Sequence, residues 1–138
     1  MVQKIFINGE YVALVIKNIK TSKRIEFFTE SEDLLQIAAF SMEKNQSIQP
    51  HLHLKQNRSI NETHEVLLVQ FGELIVNFYN DKSKDVIEKK VLLSSGDLIY
   101  LRGGIHGFKI GSDCRFIEIK QGPFIDGKDK IKLYSKEI

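Results

Sequence analysis

Residues 65–79 read Glu65-Val66-Leu67-Leu68-Val69-Gln70-Phe71-Gly72-Glu73-Leu74-Ile75-Val76-Asn77-Phe78-Tyr79, and this stretch indicates the fold most clearly. Apolar, β-branched and aromatic residues dominate both halves, as they do in strands. Gly72 stands between the halves, where a chain reversal calls for a residue that adopts positive φ. The pattern predicts two β-strands, Glu65–Gln70 and Leu74–Tyr79.

The same pattern extends over the rest of the chain, where short apolar runs alternate with turn residues. The further predicted strands are Ile5–Ile7, Tyr11–Ile16, Arg24–Thr29, Leu34–Met42, Ile48–Leu54, Val86–Leu93, Leu98–Leu101, Phe108–Ile110 and Arg115–Lys120. No stretch has the periodicity of a long amphipathic helix. Closely spaced strands without helices predict an all-β fold of two packed sheets or a barrel.

Length and composition favour one globular domain. The chain has 138 residues, of which 42% are hydrophobic and 28% charged, a balance that excludes intrinsic disorder. We expect N-terminal strands in residues 1–30, a core in residues 34–120 and a C-terminal extension in residues 121–138, whose lysines at 128–136 form a solvated surface. The net charge of +2 gives no reason to expect a nucleic-acid partner.

The single cysteine and the short apolar runs bear on cellular location. Cys114 has no second cysteine with which to form an internal disulfide, which is typical of a reducing compartment, and we expect a buried, inert thiol. The longest apolar run, Val12–Ile16, is far shorter than the ~20 residues of a membrane helix. We therefore expect a soluble cytoplasmic protein with no membrane partner.

Candidate functional residues begin with the histidines. His51 and His53 flank Leu52 in a predicted strand, so their side chains share one face, ~7 Å apart along the backbone, while Leu52 and Leu54 face packing or a partner. Two imidazoles at this spacing can bind one cation.

Glu65 and His106 are polar groups at the start of otherwise apolar strand faces. Glu65 alternates with Leu67 and Val69, and His106 alternates with Phe108 and Ile110. A buried carboxylate needs a cation, a hydrogen-bond cluster or water. The simpler interpretation of Glu65 is a strand end in solvent, and that of His106 is a core histidine whose hydrogen bonds are satisfied.

The first group of residues resembles a motif of the cupin family. That motif consists of Gly, five residues, His-x-His, a short spacer, Glu, six residues and Gly. Asn45, His51, His53, Glu65 and Gly72 stand at the matching positions. Asn45 replaces the first glycine, and asparagine tolerates the left-handed conformation. The spacer, residues 54–64, is longer than the usual three or four residues.

The second group resembles the second cupin motif. Gly96, Gly104 and His106 match it, and the aromatic Phe108 follows. Arg102 and Ile110 replace a proline and an asparagine of that motif, and one residue is missing before His106. Together the two resemblances cover residues 34–120 and imply a double-stranded β-helix (jelly-roll) barrel.

The resemblance also implies a metal site. In metal-binding cupins the matching residues are ligands, which here would be His51, His53, Glu65 and His106. Three imidazoles and a carboxylate suit Fe, Mn, Ni, Co, Cu or Zn as a divalent cofactor, and the sequence does not choose among them. A cupin that keeps these residues without a catalytic metal is the alternative.

Other residues are candidates for contacts with a small-molecule substrate. They are Arg58, which lies in the long polar segment between the predicted ligands, Tyr100 and Phe108. His64 neighbours Glu65, so we expect its side chain to point away from the site, either into solvent or to a hydrogen bond in the loop.

The last predicted strand leaves two registers open. If Ile117 and Ile119 pack in the core, Glu118 and Lys120 face solvent, and this is the register we prefer. In the opposite register, Glu118 and Lys120 enter the site and can handle protons or substrate.

The sequence thus leads to three functional hypotheses. The first is a metal-dependent enzyme that isomerises, epimerises or oxidises a small polar metabolite, and the second is a non-catalytic binding module with the same pocket. The third is a metal-free epimerase-like cupin in which a histidine and a nearby acid or tyrosine exchange protons. A further resemblance, to small cupins of bacterial surface-polysaccharide gene sets, suggests a sugar derivative. Because extra strands in cupins commonly build a dimer, we expect a homodimer.

Overall fold

The computed structural model describes residues 1–80 and 83–133, so residues 134–138 of the expected C-terminal extension lie outside the described residues. Within the described part of the chain there are ten strands and no helix. The all-β prediction is therefore confirmed. The strands are β1 (Val2–Ile7), β2 (Glu10–Ile16), β3 (Ile25–Phe27), β4 (Ala38–Phe40), β5 (Glu65–Phe71), β6 (Leu74–Asn80), β7 (Ser83–Leu93), β8 (Leu98–Leu101), β9 (Ile105–Ile110) and β10 (Arg115–Lys120).

The chain forms two compact units. Unit 1 comprises residues 1–18 and 63–138, of which residues 81, 82 and 134–138 are outside the description, and unit 2 comprises residues 19–62. Unit 1 contains a five-stranded sheet in the order β1-β2-β8-β5-β10 and a three-stranded sheet in the order β7-β6-β9. All neighbouring strands are antiparallel, and two such sheets are consistent with a β-sandwich.

One hydrophobic core joins the two sheets of unit 1. Val15, Leu67 and Ile99 of the five-stranded sheet and Val76 and Phe78 of the three-stranded sheet belong to it, and each is at most 1% exposed. Burying such a side chain contributes roughly 1.5–3 kcal/mol relative to leaving it exposed. The N-terminal strands β1 and β2 are part of the five-stranded sheet and do not form a sheet of their own, because β2 pairs with β8.

The turn between β5 and β6 shows why the opening stretch folds as it does. Gly72 has a φ of +77°, and a Cβ atom at this position would lie 1.9 Å from the carbonyl oxygen of Asp113. Glycine therefore supplies both the left-handed conformation and the close approach of two chain segments.

Unit 2 has little regular structure. Ile25, Glu26 and Phe27 of β3 pair with Phe40, Ala39 and Ala38 of β4, and these pairs form a two-stranded antiparallel sheet. The backbone N–H of Ile37 donates to Thr29 Oγ1, and Asp33 accepts from the N–H of Glu30. The predicted strands Arg24–Thr29 and Leu34–Met42 are thus shorter than expected.

The predicted strand Ile48–Leu54 is wrong. Residues 48–54 form no strand, and none of the strand pairs of the described chain includes them. Alternation of apolar and polar side chains does not make a strand unless the backbone finds a hydrogen-bonding neighbour, and Pro50 has no N–H to donate. Leu52 and Leu54, expected to face packing or a partner, are 85% and 75% exposed.

Among the described residues, no helix has the length and apolar character to cross a bilayer.

Candidate functional site

The candidate site is a cavity of about 260 Å³ in unit 1. Three residues predicted from sequence, Glu65, His106 and Phe108, lie in its wall. Among the described residues, the lining consists of Thr63, Glu65, His106, Gly107, Phe108, Glu118, Lys120, Asp129 and Lys130.

Glu65 and His106 meet although they belong to different sheets. Glu65 begins β5 of the five-stranded sheet, whereas His106 lies on β9 of the three-stranded sheet. His106 Nε2 is 2.8 Å from Glu65 Oε1, and the two side chains are 25% and 16% exposed. An acid and an imidazole are therefore held in contact at a place that solvent and a small ligand can reach.

The surroundings of His106 define where its hydrogens lie. Nδ1 is 3.1 Å from the carbonyl oxygen of Gly104, which can only accept, so Nδ1 carries the hydrogen of that bond. Nε2 lies 2.8 Å from Glu65 Oε1, which is the distance of a hydrogen bond between the two groups. Such a pair can donate or accept a proton.

Phe108 lies in the wall beside this pair, and Phe116 lies behind it against the core. The ring of Phe108 lies 5.6 Å from that of His106 and 6.2 Å from that of Phe116, measured between ring centroids. Phe108 is 39% exposed, whereas Phe116 packs against the core. The wall offers a partly exposed apolar face next to polar groups, as small-molecule sites commonly do.

Charged groups form another part of the lining. Lys120 Nζ donates to Asp129 Oδ2 at 3.0 Å and lies 3.3 Å from Glu118 Oε1. The hydrogen bond to Asp129, followed by that to Glu118, raises the pKa of Lys120 above its usual value of 10.5. The cavity thus combines carboxylates and ammonium groups.

The preferred register for the last strand is wrong. Ile117 and Ile119 are 41% and 55% exposed, whereas Glu118 and Lys120 line the cavity. The reason is the position of β10 at the edge of its sheet, where Phe116 alone of this strand packs against the core. The alternative register, with both charged groups in the site, is the one observed.

His64 is buried and hydrogen-bonded, so the alternative in which it faces solvent is wrong, and its side-chain partner belongs to β8 rather than to the loop. Its side chain is 4% exposed, and Nδ1 lies 2.6 Å from the hydroxyl oxygen of Tyr100. Its backbone N–H donates to the side-chain oxygen of Gln121. Tyr100 is itself fully buried and does not belong to the described wall of the cavity. These contacts fix the beginning of β5, from which Glu65 extends.

The remaining predicted site residues lie in unit 2. His51 and His53 are exposed, their rings are 5.1 Å apart in an edge-to-face arrangement, and His51 Nδ1 lies 2.9 Å from the carbonyl oxygen of Gln49. Arg58 is exposed in a segment without strands. Among the described residues there is no group of three or more His, Cys, Asp or Glu side chains placed to hold a metal ion.

Sequence reasoning missed the lining residues Thr63, Asp129 and Lys130. The two charged residues lie in a Lys-rich stretch that resembles an ordinary solvated surface. Only the ion pair between Lys120 and Asp129 distinguishes them, and that contact joins an edge strand to a segment without regular structure. Cys114, expected to be buried, is partly buried beside the core.

Comparison with known proteins adds no further information. No protein-family model, no curated protein and no solved structure matches this chain.

Proposed function

We propose that unit 1 binds a small polar metabolite in the cavity beside Glu65 and His106, and that this pair moves a proton on the bound molecule. The observation that carries the proposal is the 2.8 Å contact between His106 Nε2 and Glu65 Oε1 in the cavity wall. General acid–base catalysis requires a proton-carrying group within such a distance of a reachable ligand. This corresponds to the metal-free epimerase-like hypothesis.

The size and lining of the cavity indicate the class of ligand. A volume of about 260 Å³ is at the lower end for small-molecule sites, and it suits a molecule of monosaccharide size. Hydroxyl groups can donate to Glu118 and Asp129 and accept from Lys130, while the exposed face of Phe108 can contact an apolar ring face. A carbohydrate derivative is the class that fits these groups best.

The proposed reaction is proton transfer next to a carbonyl group. The Glu65 carboxylate removes a proton from the carbon beside the carbonyl and becomes a carboxylic acid, and the electron pair moves onto the carbonyl oxygen. Return of a proton from water to the opposite face gives epimerisation. Return of the Glu65 proton to the former carbonyl carbon, while the proton of the neighbouring hydroxyl passes to the former carbonyl oxygen, gives isomerisation. No outside oxidant or reductant is needed.

Solvent exchange tests this reaction directly. Small aldoses, ketoses and their derivatives are incubated with the protein in D₂O, and loss of the C–H signal is followed by proton NMR. We expect exchange with the wild type, and a decrease of about 10²-fold or more in Glu65→Gln and in His106→Asn. Glu10→Gln, a carboxylate change on β2 outside the lining, serves as the control.

The same experiment separates binding from catalysis. Saturable binding without exchange supports the non-catalytic binding module and rejects the proton-transfer step. Absence of both binding and exchange across the panel rejects the proposed site.

Metal binding is the second candidate, and one observation favours it. Glu65 and His106, which the resemblance implies as ligands, lie side by side, with 2.8 Å between His106 Nε2 and Glu65 Oε1. The other two ligands that the resemblance implies are His51 and His53. A bound metal would act as a Lewis acid or as an oxygen-activating centre.

Calorimetric titration of chelator-treated protein with Mn²⁺, Co²⁺, Ni²⁺ and Zn²⁺ tests this candidate. Tight binding of one equivalent, weakened by His51→Gln, His53→Gln and Glu65→Gln alike, supports the four-ligand set. Binding that depends on Glu65 but not on the two histidines of unit 2 rejects that set.

Three further expectations remain proposals. A cupin barrel is supported by the convergence of Glu65 and His106, one from each motif, at a single cavity. A homodimer is supported by exposed apolar side chains on the two-stranded sheet of unit 2, with Phe27 64% and Phe40 52% exposed. A cytoplasmic location is supported by the single cysteine.

A further inference from the structure

Unit 1 contains a second cavity, of about 280 Å³, whose charged lining residues are all positive. We call it the three-lysine cavity after Lys17, Lys89 and Lys90. The remaining lining residues are Gln3, Ile5, Val91 and Leu92, so no carboxylate is found in the described wall. It shares no lining residue with the cavity of Glu65 and His106.

The three-lysine cavity lies where the outer strands of both sheets contribute residues. Gln3 and Ile5 come from β1, the outer strand of the five-stranded sheet, and the pair Lys89 and Lys90 comes from β7, the outer strand of the other sheet. An outer strand has peptide groups on one side without a strand neighbour. Such a place can offer backbone N–H donors in addition to side chains.

Lys17, Lys89 and Lys90 all line the described part of this cavity. Lys17 directly follows β2, and its Nζ donates to the carbonyl oxygen of Leu92, which leaves two of its three N–H groups for other acceptors. Lys89 alternates with Val91 and Leu93, so it occupies the row of β7 that faces the core, yet it is exposed. Lys89 thus lies where this row of side chains leaves the core, and it adds a positive charge to the cavity wall.

Charge neutralisation is missing from this place. In the described part of the chain, no ion pair links Lys17, Lys89 or Lys90 to a carboxylate. Three ammonium groups around one cavity repel one another, and an anion bound among them relieves that repulsion. Lysine is a common ligand of phosphate groups, because a compact ammonium charge attracts phosphate oxygens.

We propose that the three-lysine cavity binds a small anion, and that the anion is the diphosphate group of a metabolite. The volume of about 280 Å³ has room for a group of the size of a diphosphate. A nucleic acid is disfavoured because the charges converge on one cavity and the whole chain carries only +2. This proposal does not depend on the function assigned to Glu65 and His106.

Calorimetric titration with sodium pyrophosphate tests the proposal. We expect one saturable site, whose affinity falls as salt rises from roughly 50 to 300 mM because ions screen the lysines. The double variant Lys89→Gln, Lys90→Gln should weaken binding at least tenfold. Lys109→Gln, which changes an exposed lysine of β9 outside the cavity, and Glu65→Gln should each leave it within twofold. Thermal unfolding of each variant verifies that it is folded.

Two results would overturn the proposal. The first is no saturable binding of pyrophosphate at low salt, and the second is equal affinity in the double variant and the wild type. Binding to vesicles that contain an anionic phospholipid is measured in parallel, because the lipid headgroups also carry phosphate groups. If vesicles bind through Lys89 and Lys90 and soluble pyrophosphate does not, the small-metabolite assignment is wrong.

Discussion

At the scale of single residues, the faces of β5 separate two ionisable side chains that are neighbours in the sequence. Glu65 lies in a cavity wall, whereas His64 is buried against Tyr100. A shift of the strand by one residue would exchange these environments. The sequence predicted that the two side chains point in opposite directions, but it did not reveal which groups would surround His64, because Tyr100 is distant along the chain.

The contact between His64 and Tyr100 should contribute to stability. We expect Tyr100→Phe to lower the free energy of unfolding by about 1–2 kcal/mol, since it removes a buried hydroxyl group that hydrogen-bonds to the imidazole. Urea denaturation measures the loss. Tyr79→Phe, which alters a half-buried tyrosine of β6, should change the free energy by less than about 0.5 kcal/mol. Equal effects of the two substitutions would contradict the role assigned to the buried pair.

The titration of Lys120 should reflect its two carboxylate neighbours. Because their hydrogen bonds raise its pKa in the folded chain, its interactions stabilise the fold below pH 10.5 and are lost as the pH rises through the folded pKa. We expect NMR of the lysine side chains to show a midpoint for Lys120 above 10.5, and Asp129→Asn to lower it. A midpoint that does not move in Asp129→Asn would show that the pair is absent in solution.

At the scale of elements, strands that the sequence predicted well are those with a buried face. Residues of β5 and β6 carry apolar side chains to a common core, so local pattern and tertiary packing favour the same conformation. Residues 48–54 have an equally regular alternation, but there is no strand beside them to bind their peptide groups. Alternation of apolar and polar residues describes the side chains and does not show whether the peptide groups have hydrogen-bonding partners, which is why this prediction was wrong.

The turn between β5 and β6 provides a prediction at this scale. Gly9 and Gly72 have nearly equal φ values, +79° and +77°, but a Cβ at Gly9 would meet nothing within 4 Å. We expect Gly9→Ala to lower the free energy of unfolding by about 1–2 kcal/mol, which is the usual effect of placing a side chain in the left-handed conformation. Gly72→Ala should cost several kcal/mol more, because the methyl group would collide with the backbone of Asp113. Urea denaturation compares the variants, and similar losses for both would show that the close approach is absent.

At the scale of the whole molecule, most of the burial belongs to unit 1. The described core residues all lie in its two sheets, whereas unit 2 exposes large apolar side chains such as Ile25, Phe27 and Phe40. Ile25 and Phe40 are cross-strand neighbours, and Phe27 follows two residues after Ile25, so the three share one face of the small sheet. A face of this kind is a candidate for contact with a second copy of the chain.

The proposed dimer makes a measurable prediction. Size-exclusion chromatography with light scattering should give about twice the 15.9 kDa of one chain. Phe27→Asp should return it to the mass of one chain, because a charge would be placed on the contact face. Leu52→Asp, a substitution at a side chain that is 85% exposed outside that sheet, should leave the mass unchanged. A wild-type mass of one chain would refute the dimer.

The amino-acid sequence alone determined the all-β class, the turn at Gly72 and the choice of Glu65 and His106 as candidate site residues. These features depend on local patterns of apolar and polar side chains and on the conformational range of glycine. Tertiary structure alone decided the register of β10, the burial of His64 and the convergence of lysines from β7 and the end of β2. Each of these depends on which distant segments become neighbours, and short-range alternation does not specify that.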